Sequence, residues 1–367
     1  MSVRTLLIEP HDPVIFRDGK PFTQGAIHAK SLPFPLPGTI AGAIRTRSRS
    51  DWDFTSKDHL SRLLKIEHTG PFLAVRESAS AKWEIAFPAP ADVVITGDDK
   101  ALVLHPLRPG SYGNGGCDLP EGMQPLLGAP KSKSAGKSPP FWRHDRMADW
   151  LGRSPAKQPL GLPQLGYQNL EIQKRMHVAI DADTQTASEG MLFGTVGLEF
   201  AYGREHAAAI VSRVDESENA AWPAVAPLGG ERRLAYWSEP EPAAFVWPSL
   251  PGNIPTKQGS NIRLILATPG AFASGWRPAW SDGESDVPGH PGLRLKLYAA
   301  AVPRFQPVSG WDLQTGKPKA TRFLAPAGSV YFLKVIQGDA AGLWLRPVSD
   351  GEQDRRDGYG IALIGAA

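Results

Sequence analysis

The sequence predicts an α+β protein, built mainly of antiparallel sheets with short helices packed on them. Three observations lead there. Short apolar runs bounded by proline or glycine recur along the whole chain, few segments carry apolar residues at helical spacing, and glycine (38) with proline (35) makes up about a fifth of 367 residues. The average for those two residues is near ~12%, so the excess calls for many turns and long loops. A hydrophobic content of 41% is nonetheless too high for a disordered chain. The length suits two domains of ordinary size.

Taken in order, Thr5 to Ile8 and Val14 to Phe16 are apolar runs around Pro10 and Pro13 and are expected as strands. In PLPGTIAGAIRTRSRS (35–50), Ile40, Ala43 and Ile44 share one helical face and Thr39 is placed to cap it. Gly42 weakens that helix, which implies a close backbone contact. Ser56 can cap a second helix carrying Leu60, Leu63 and Leu64. Phe72 to Val75, Trp83 to Phe87, Val93 to Thr96 and Ala101 to Leu104 then follow as strands. Residues 111–166 change character: they are turn-rich, with Lys131, Lys133 and Lys137 in a stretch free of acids, and read as a basic loop carrying one short helix around Phe141 to Leu151. Strand patterns return at Met176 to Ile180, Met191 to Phe200, Ala208 to Val214, Arg263 to Ala267, Leu293 to Ala300, Val330 to Ile336 and Ile361 to Ile364. The expected division is residues 1–110, a Gly/Pro/Lys-rich insertion at 111–166, and 167–367, with strand, helix and glycine loop in each half hinting at one fold used twice.

Composition removes several classes of function. The net charge of +3 decides nothing about partners, because a nucleic-acid surface depends on clustered cations. Cys117 is the single cysteine, so neither an internal disulfide nor a thiolate zinc site can form, and a reducing cytoplasm fits. The N-terminal apolar run is too short for a signal peptide, and no stretch approaches the ~18 apolar residues of a membrane span. No HExxH, CxxC, GxGxxG or GxSxG occurs, and AGKS at 135–138 fails as a phosphate loop because Lys131 stands where its first glycine belongs. The nine histidines include no i, i+4 pair, so no metal and no cofactor are expected. Carboxylates lie beside cations, as in GGERR (229–233) and DRRDG (354–358), which solvated ion pairs or turns explain. The eleven tryptophans suit either sugar stacking or packing, and their even spread favours packing.

Anion binding has better support. Arg45, Arg47 and Arg49 extend from a helix whose start, Gly38 and Thr39, offers unpaired N–H groups, so the segment suits a phosphate chain or a core helix with a solvated basic end. In DGYGIALIG (357–365), Gly358 and Gly360 let backbone approach a ligand or make a tight turn, with Arg355 and Arg356 just upstream. Tyr359 echoes an RNA-recognition aromatic strand, but Ile361 and Leu363 stand where stacking rings would be needed. KRMHVAIDADTQTASEGMLF (174–193) reads as two strands around a turn at Asp181 to Thr184, a plain hairpin or one that grips RNA through Lys174 and Arg175. His28, near Lys30, and His177 suit either acid–base cleavage of RNA or ordinary hydrogen bonding.

Seven stretches, in order, resemble one family: EPHDPVIFRDGKPF (9–22), PLPGTIAGAIRT (35–46), AFPAPADVV (86–94), HVAIDADTQTASEGMLF (177–193), LGGERR (228–233), PAGSVYFLKV (326–335) and GYGIALIG (358–365). The set is similar to RAMP proteins of CRISPR effector complexes, specifically the family of the third subunit of the type III-B Cmr complex. The resemblance implies two ferredoxin-like halves of RNA-recognition-motif topology and a glycine-rich loop near the C-terminus. It also implies a non-catalytic subunit that holds the 5′ tag of the crRNA beside a backbone RAMP subunit, docks the large polymerase-like subunit, and meets target RNA indirectly. RNA contacts would then fall at His28, Lys30 and Ser31, along the helix to Arg45, at Lys174, Arg175 and His177 of a thumb-like hairpin, and at Gly358, Tyr359 and Gly360. Positive side chains from both halves would line one groove. The equivalent subunit of the type III-A Csm complex, and a metal-independent guide-processing endonuclease using His28, are the competing readings.

Overall fold

The computed structural model describes residues 2–17, 31–47, 57–113, 115–153, 158–202, 206–216, 224–312 and 317–367. The first strand, β1 (Ser2–Pro10), leads to helices α1 (Pro37–Arg47) and α2 (Lys57–Leu64) and back to β2 (Glu67–Arg76). Then come β3 (Glu84–Pro88), the β4/β5 ribbon (Val93–Asp98 and Ala101–Pro106), β6 (Phe141–Trp142), α3 (His144–Leu151) and β7 (Gly166–Tyr167). A projecting hairpin, β8 (Glu171–Ile180) and β9 (Ala187–Glu199), precedes β10 (His206–Glu216), β11 (Ala224–Pro227) and β12 (Leu234–Ser238). The last part supplies β13 (Asn261–Leu266), β14 (Asp282–Val287), β15 (His290–Ala301), β16 (Val330–Gln337), α4 (Glu352–Arg356) and β17 (Ala362–Ala366).

Apart from the β4/β5 and β8/β9 ribbons, these strands assemble into two antiparallel sheets. The nine-stranded sheet runs β11-β12-β1-β10-β2-β3-β6-β7, with the short strand at 201–202 beside β10; the five-stranded sheet runs β14-β15-β16-β13-β17. In the first, β10 lies between β1 and β2 and pairs antiparallel with both, so β1 and β2 are parallel and the connection through α1 and α2 is a split β-α-β crossover. The second sheet repeats that order, with β16 inserted between β13 and β15, but no helix lies between β13 and β15 among the described residues.

Alternation along the strands decides which layer each side chain joins. Leu6, Ile8, Leu73, Val75 and Ile210 share a core with Ile40 and Ile44 of α1 and Leu63 of α2. Their neighbours Leu7, Phe72, Ala74, Ala209 and Val211 belong instead to one continuous core with Leu264, Phe332, Leu333 and Leu363 of the second sheet. Both faces of the first sheet are therefore buried, one under helices and one against the rest of the chain. Among the described residues, that sheet therefore offers no open central face on which bases could stack.

Several expectations need correction. The strands β10 to β12, residues 206–238, complete the first sheet, so the boundary expected at 167 cuts through it; long-range pairing with β1 and β2 outweighs position in the chain. The supposed basic insertion contributes Phe141, Trp142, Met147, Trp150, Leu151 and Leu165 to the core, and Lys137 is paired with Asp99 at 3.5 Å. Val14 to Phe16 makes isolated bridges to Leu198 and Gly230, not a strand. Thr39 lies inside α1, which begins with proline at its first turn, where the missing N–H costs nothing. Gly42 faces open space, and the close approach is at Gly38. The expected Ser56 cap lies outside the described residues.

One buried charge ties the layers together. Arg263 of β13 and Asp92 are both fully buried and meet at 2.5 Å. Asp92 also accepts from the Trp150 indole at 2.9 Å, and Arg263 donates to the carbonyls of Trp150 at 2.5 Å and Ala366 at 2.6 Å. Each charge finds hydrogen-bond partners besides its counter-ion, the condition under which a buried pair is tolerated. Asp92 is thus a buried carboxylate, unlike the solvated pairs and turn acids that the sequence pattern suggests.

Candidate nucleic-acid interface

The structure sorts the predicted RNA-binding residues into two clusters. The first forms where the C-terminal glycine loop docks onto α1 and β2. Arg45 meets the Asp357 carboxylate at 2.6 Å, with side chains only 11% and 19% exposed, and also donates to the Ile66 carbonyl at 3.2 Å. Tyr359 is buried, and its hydroxyl accepts from the Gly38 N–H at the start of α1. Burial pushes that phenol up to about 12, against the opposing pull of Arg322. The helix start expected to hold phosphate is therefore occupied by the protein's own tyrosine, and Arg45 by its own aspartate.

The glycines of this loop serve the same closure. Gly358 has φ +83°, and a Cβ there would lie 2.4 Å from the Gly70 carbonyl; Gly360 has φ +76° and abuts Ser349. The Gly358 carbonyl accepts from Thr268 Oγ1 at 2.7 Å. Beneath it His68 is buried, with Nε2 3.0 Å from Ser212 Oγ and Nδ1 3.2 Å from the Asp357 carbonyl oxygen. Ser212 reaches it from a β-bulge between Val211 and Arg213. Desolvation is the main cause that lowers the His68 pKa to about 3, partly opposed by the hydrogen bond to Asp357 and reinforced by the Arg45 charge. The imidazole is neutral at physiological pH.

The second cluster surrounds the root of the hairpin. Val14 and Leu198 exchange backbone hydrogen bonds at 3.0 and 2.7 Å, and Gly197 passes so close to Pro13 that a Cβ would lie 2.8 Å from it. Ser31 accepts from the Phe16 N–H at 3.1 Å, and the Gly230 N–H donates to Ile15 at 2.8 Å. Arg17 reaches Glu231 at 2.9 Å in an exposed pair. Two of the recognised stretches, 9–22 and LGGERR, thus meet Ser31 and the root of the hairpin at one place.

From this root the hairpin projects as a two-stranded ribbon in its own sheet. Lys174 and Arg175 are exposed, and among the described residues neither has an ion-pair partner. Alternation puts Lys174 on one face with exposed Ile172, Met176, Val178 and Ile180, and Arg175 on the other with His177, whose Nε2 lies 2.9 Å from Thr195 Oγ1. The tip closes by an Asx turn, in which Asp181 accepts from the N–H groups of Asp183 and Thr184 at 3.0 and 2.8 Å. Those bonds to the ionised form hold its carboxyl below the usual range. Arg47 ends α1 half-buried, and His28, Lys30 and Arg49 lie outside the described residues.

The family model "CRISPR-associated protein (Cas_Cmr3)" matches residues 6–367. The chain belongs to the Cas_Cmr3 family. No curated protein matches it. Among solved structures it is similar to a chain of a type III-B Cmr-beta complex bound to cognate target RNA, at 17% identity, 90% and 86% coverage of the two chains and TM-score 0.48. The same complex with AMPPnP matches at 16% identity, 90% and 86% coverage and TM-score 0.48. A chain of the Csm3-Csm4 subcomplex of a type III-A interference complex gives 11% identity, 92% and 94% coverage and TM-score 0.35. Among the described residues no group of three or more His, Cys, Asp or Glu could hold a metal ion, and no helix is long and apolar enough to cross a membrane.

Sequence reasoning missed His68, Asp357 and the buried Asp92. Asp357 had a signal, an acid beside a glycine turn, but its partner is named only by the fold.

Proposed function

We propose that this Cas_Cmr3 member is the non-catalytic guide-RNA-binding subunit of a type III-B effector complex. It holds the 5′ tag of the crRNA at the root and flanks of the β8/β9 hairpin, beside a backbone RAMP subunit. It docks the large polymerase-like subunit and meets target RNA only through the guide. On this reading the two repeated strand orders are two ferredoxin-like units, and residues 357–365 are the glycine loop that locks one onto the other.

The observation that carries the reading is the match of the Cas_Cmr3 family model over residues 6–367. Its location within the chain follows from accessibility. Phosphates supply most of the affinity for a single strand, and Lys174 and Arg175 stand exposed where Arg45 is held by Asp357. The test is filter binding of the purified full chain to a labelled single-stranded guide RNA carrying its 5′ tag, with cleavage scored in the same samples. Tag-dependent binding without cleavage is expected. Cleavage lost on His28→Ala would replace the scaffold with the nuclease reading.

A further inference from the structure

Away from both clusters the surface carries an apolar groove of about 740 Å³, whose lining includes Leu119, Met123, Trp276, Arg304, Phe305 and Phe323. Its large side chains are turned outward: Phe323 is 54% exposed, Phe305 51%, Leu119 40% and Trp276 38%. The two phenylalanines pack edge to face, with centroids 4.9 Å apart, and the Arg304 guanidinium lies 5.9 Å from the Phe305 ring. A contiguous exposed patch of this kind marks an interaction site, unlike scattered single residues.

The groove is built rigidly. Gly270 and Ala325 exchange hydrogen bonds at 2.8 and 2.9 Å under the strands bearing Phe305 and Phe323, Tyr331 donates to the Trp276 carbonyl at 2.6 Å, and the Gln124 N–H donates to Tyr298 at 2.7 Å behind Met123. Preformed walls lower the entropic cost of binding.

Its chemistry selects the occupant. Aromatic residues, methionine and arginine with no lysine or acid in the lining is the composition of the centre of a protein–protein interface. Nucleic acid is disfavoured, because the lining holds a single cation, and the acids Asp118 and Glu121 flank its Leu119 and Pro120 in the chain. Arg304 lies exposed in the lining and exposed Lys317 and Lys319 follow in the same segment, while Arg322 is held by Asp354 at 2.8 Å, so the Arg304 side complements negative charge. We propose that this groove seats a partner protein of the same effector complex, entering with large apolar side chains from a segment that carries Asp or Glu on the Arg304 side. The proposal rests on reading the chain as a complex subunit.

The experiment mixes the purified chain with each other protein subunit of its complex in turn, and measures affinity by biolayer interferometry for wild type, Phe305→Asp with Phe323→Asp, and Arg304→Glu. One subunit is expected to bind the double variant at least about ten-fold more weakly, and Arg304→Glu more weakly in a salt-dependent way. Melting temperature and guide-RNA affinity should stay as in wild type. Phe305→Ala with Phe323→Ala serves if the aspartates disturb folding. Tiled peptides of that subunit should locate an apolar segment flanked by acids. Unchanged affinity for every subunit would overturn the proposal, as would lost RNA affinity with subunit binding intact, which would make the groove a base-stacking platform. Failure of the guide-RNA reading shows separately, as wild type that binds no tagged RNA.

Discussion

The α1/C-terminal-loop junction and the β8/β9 hairpin both set arginines near glycine or turn residues, yet they use their charge in opposite ways. At the junction, Arg45, the start of α1 and the glycine turn satisfy one another through Asp357, Tyr359 and Gly70. On the hairpin, Lys174 and Arg175 stand exposed on a ribbon joined to the body at its root. The difference teaches that a cation beside bare backbone stays open to an outside anion only when the fold supplies no acid of its own. Desolvation makes an internal partner the better bargain for a half-buried arginine, whereas an exposed lysine keeps its water until a phosphate displaces it.

The sharpest way to break the contrast is Gly358→Ala. It forces φ +83° on a residue with a Cβ and drives that atom toward the Gly70 carbonyl, so a loss of roughly 3–5 kcal/mol is expected in chemical denaturation. Hairpin-dependent RNA affinity, measured on the fraction that stays folded, should persist. If RNA binding vanished while stability held, the glycine loop would be an RNA site after all.

Acid titration probes the same junction. Because the folded pKa of His68 is depressed to about 3 from 6.5, the unfolded chain takes up a proton that the folded chain refuses. The stabilisation is complete above pH 6.5 and is lost as pH falls toward 3, by roughly 3 kcal/mol on reaching pH 4. Thermal unfolding of His68→Gln across this window should show a shallower slope than wild type; parallel slopes would contradict the buried neutral imidazole.

Arg45→Ala removes a partly screened ion pair and a carbonyl contact, and should cost roughly 1–3 kcal/mol of stability with the salt dependence of RNA binding unchanged. Lys174→Ala with Arg175→Ala should do the reverse. Stability should move by less than about 0.5 kcal/mol, while the log–log salt slope flattens by about 1.4, two single-strand phosphates' worth. An unaltered slope would remove the hairpin from the interface.

Much of the first sheet was legible because alternation is a local property. Leu6 and Ile8 declare one face and Leu7 the other without reference to any partner. The hairpin was legible for the same reason, aided by the turn chemistry of Asp181. Gly42 and Gly38, four residues apart on one helix, were not separable, because which of them meets a neighbour depends on where Tyr359 arrives. The insertion hid its core for a related reason: Trp142 and Trp150 are isolated in a turn-rich stretch and acquire neighbours only from distant strands.

Local order, the absence of catalytic signatures and the ordered family motifs were determined by the amino-acid sequence alone, since each depends on residue type and short-range spacing. The pairing of Arg45 with Asp357, the burial of both faces of the first sheet and the outward turn of Phe305 and Phe323 were decided only by the tertiary structure. Charge neutralisation and desolvation depend on distances between residues far apart in the chain, and those distances do not exist until the sheets have closed.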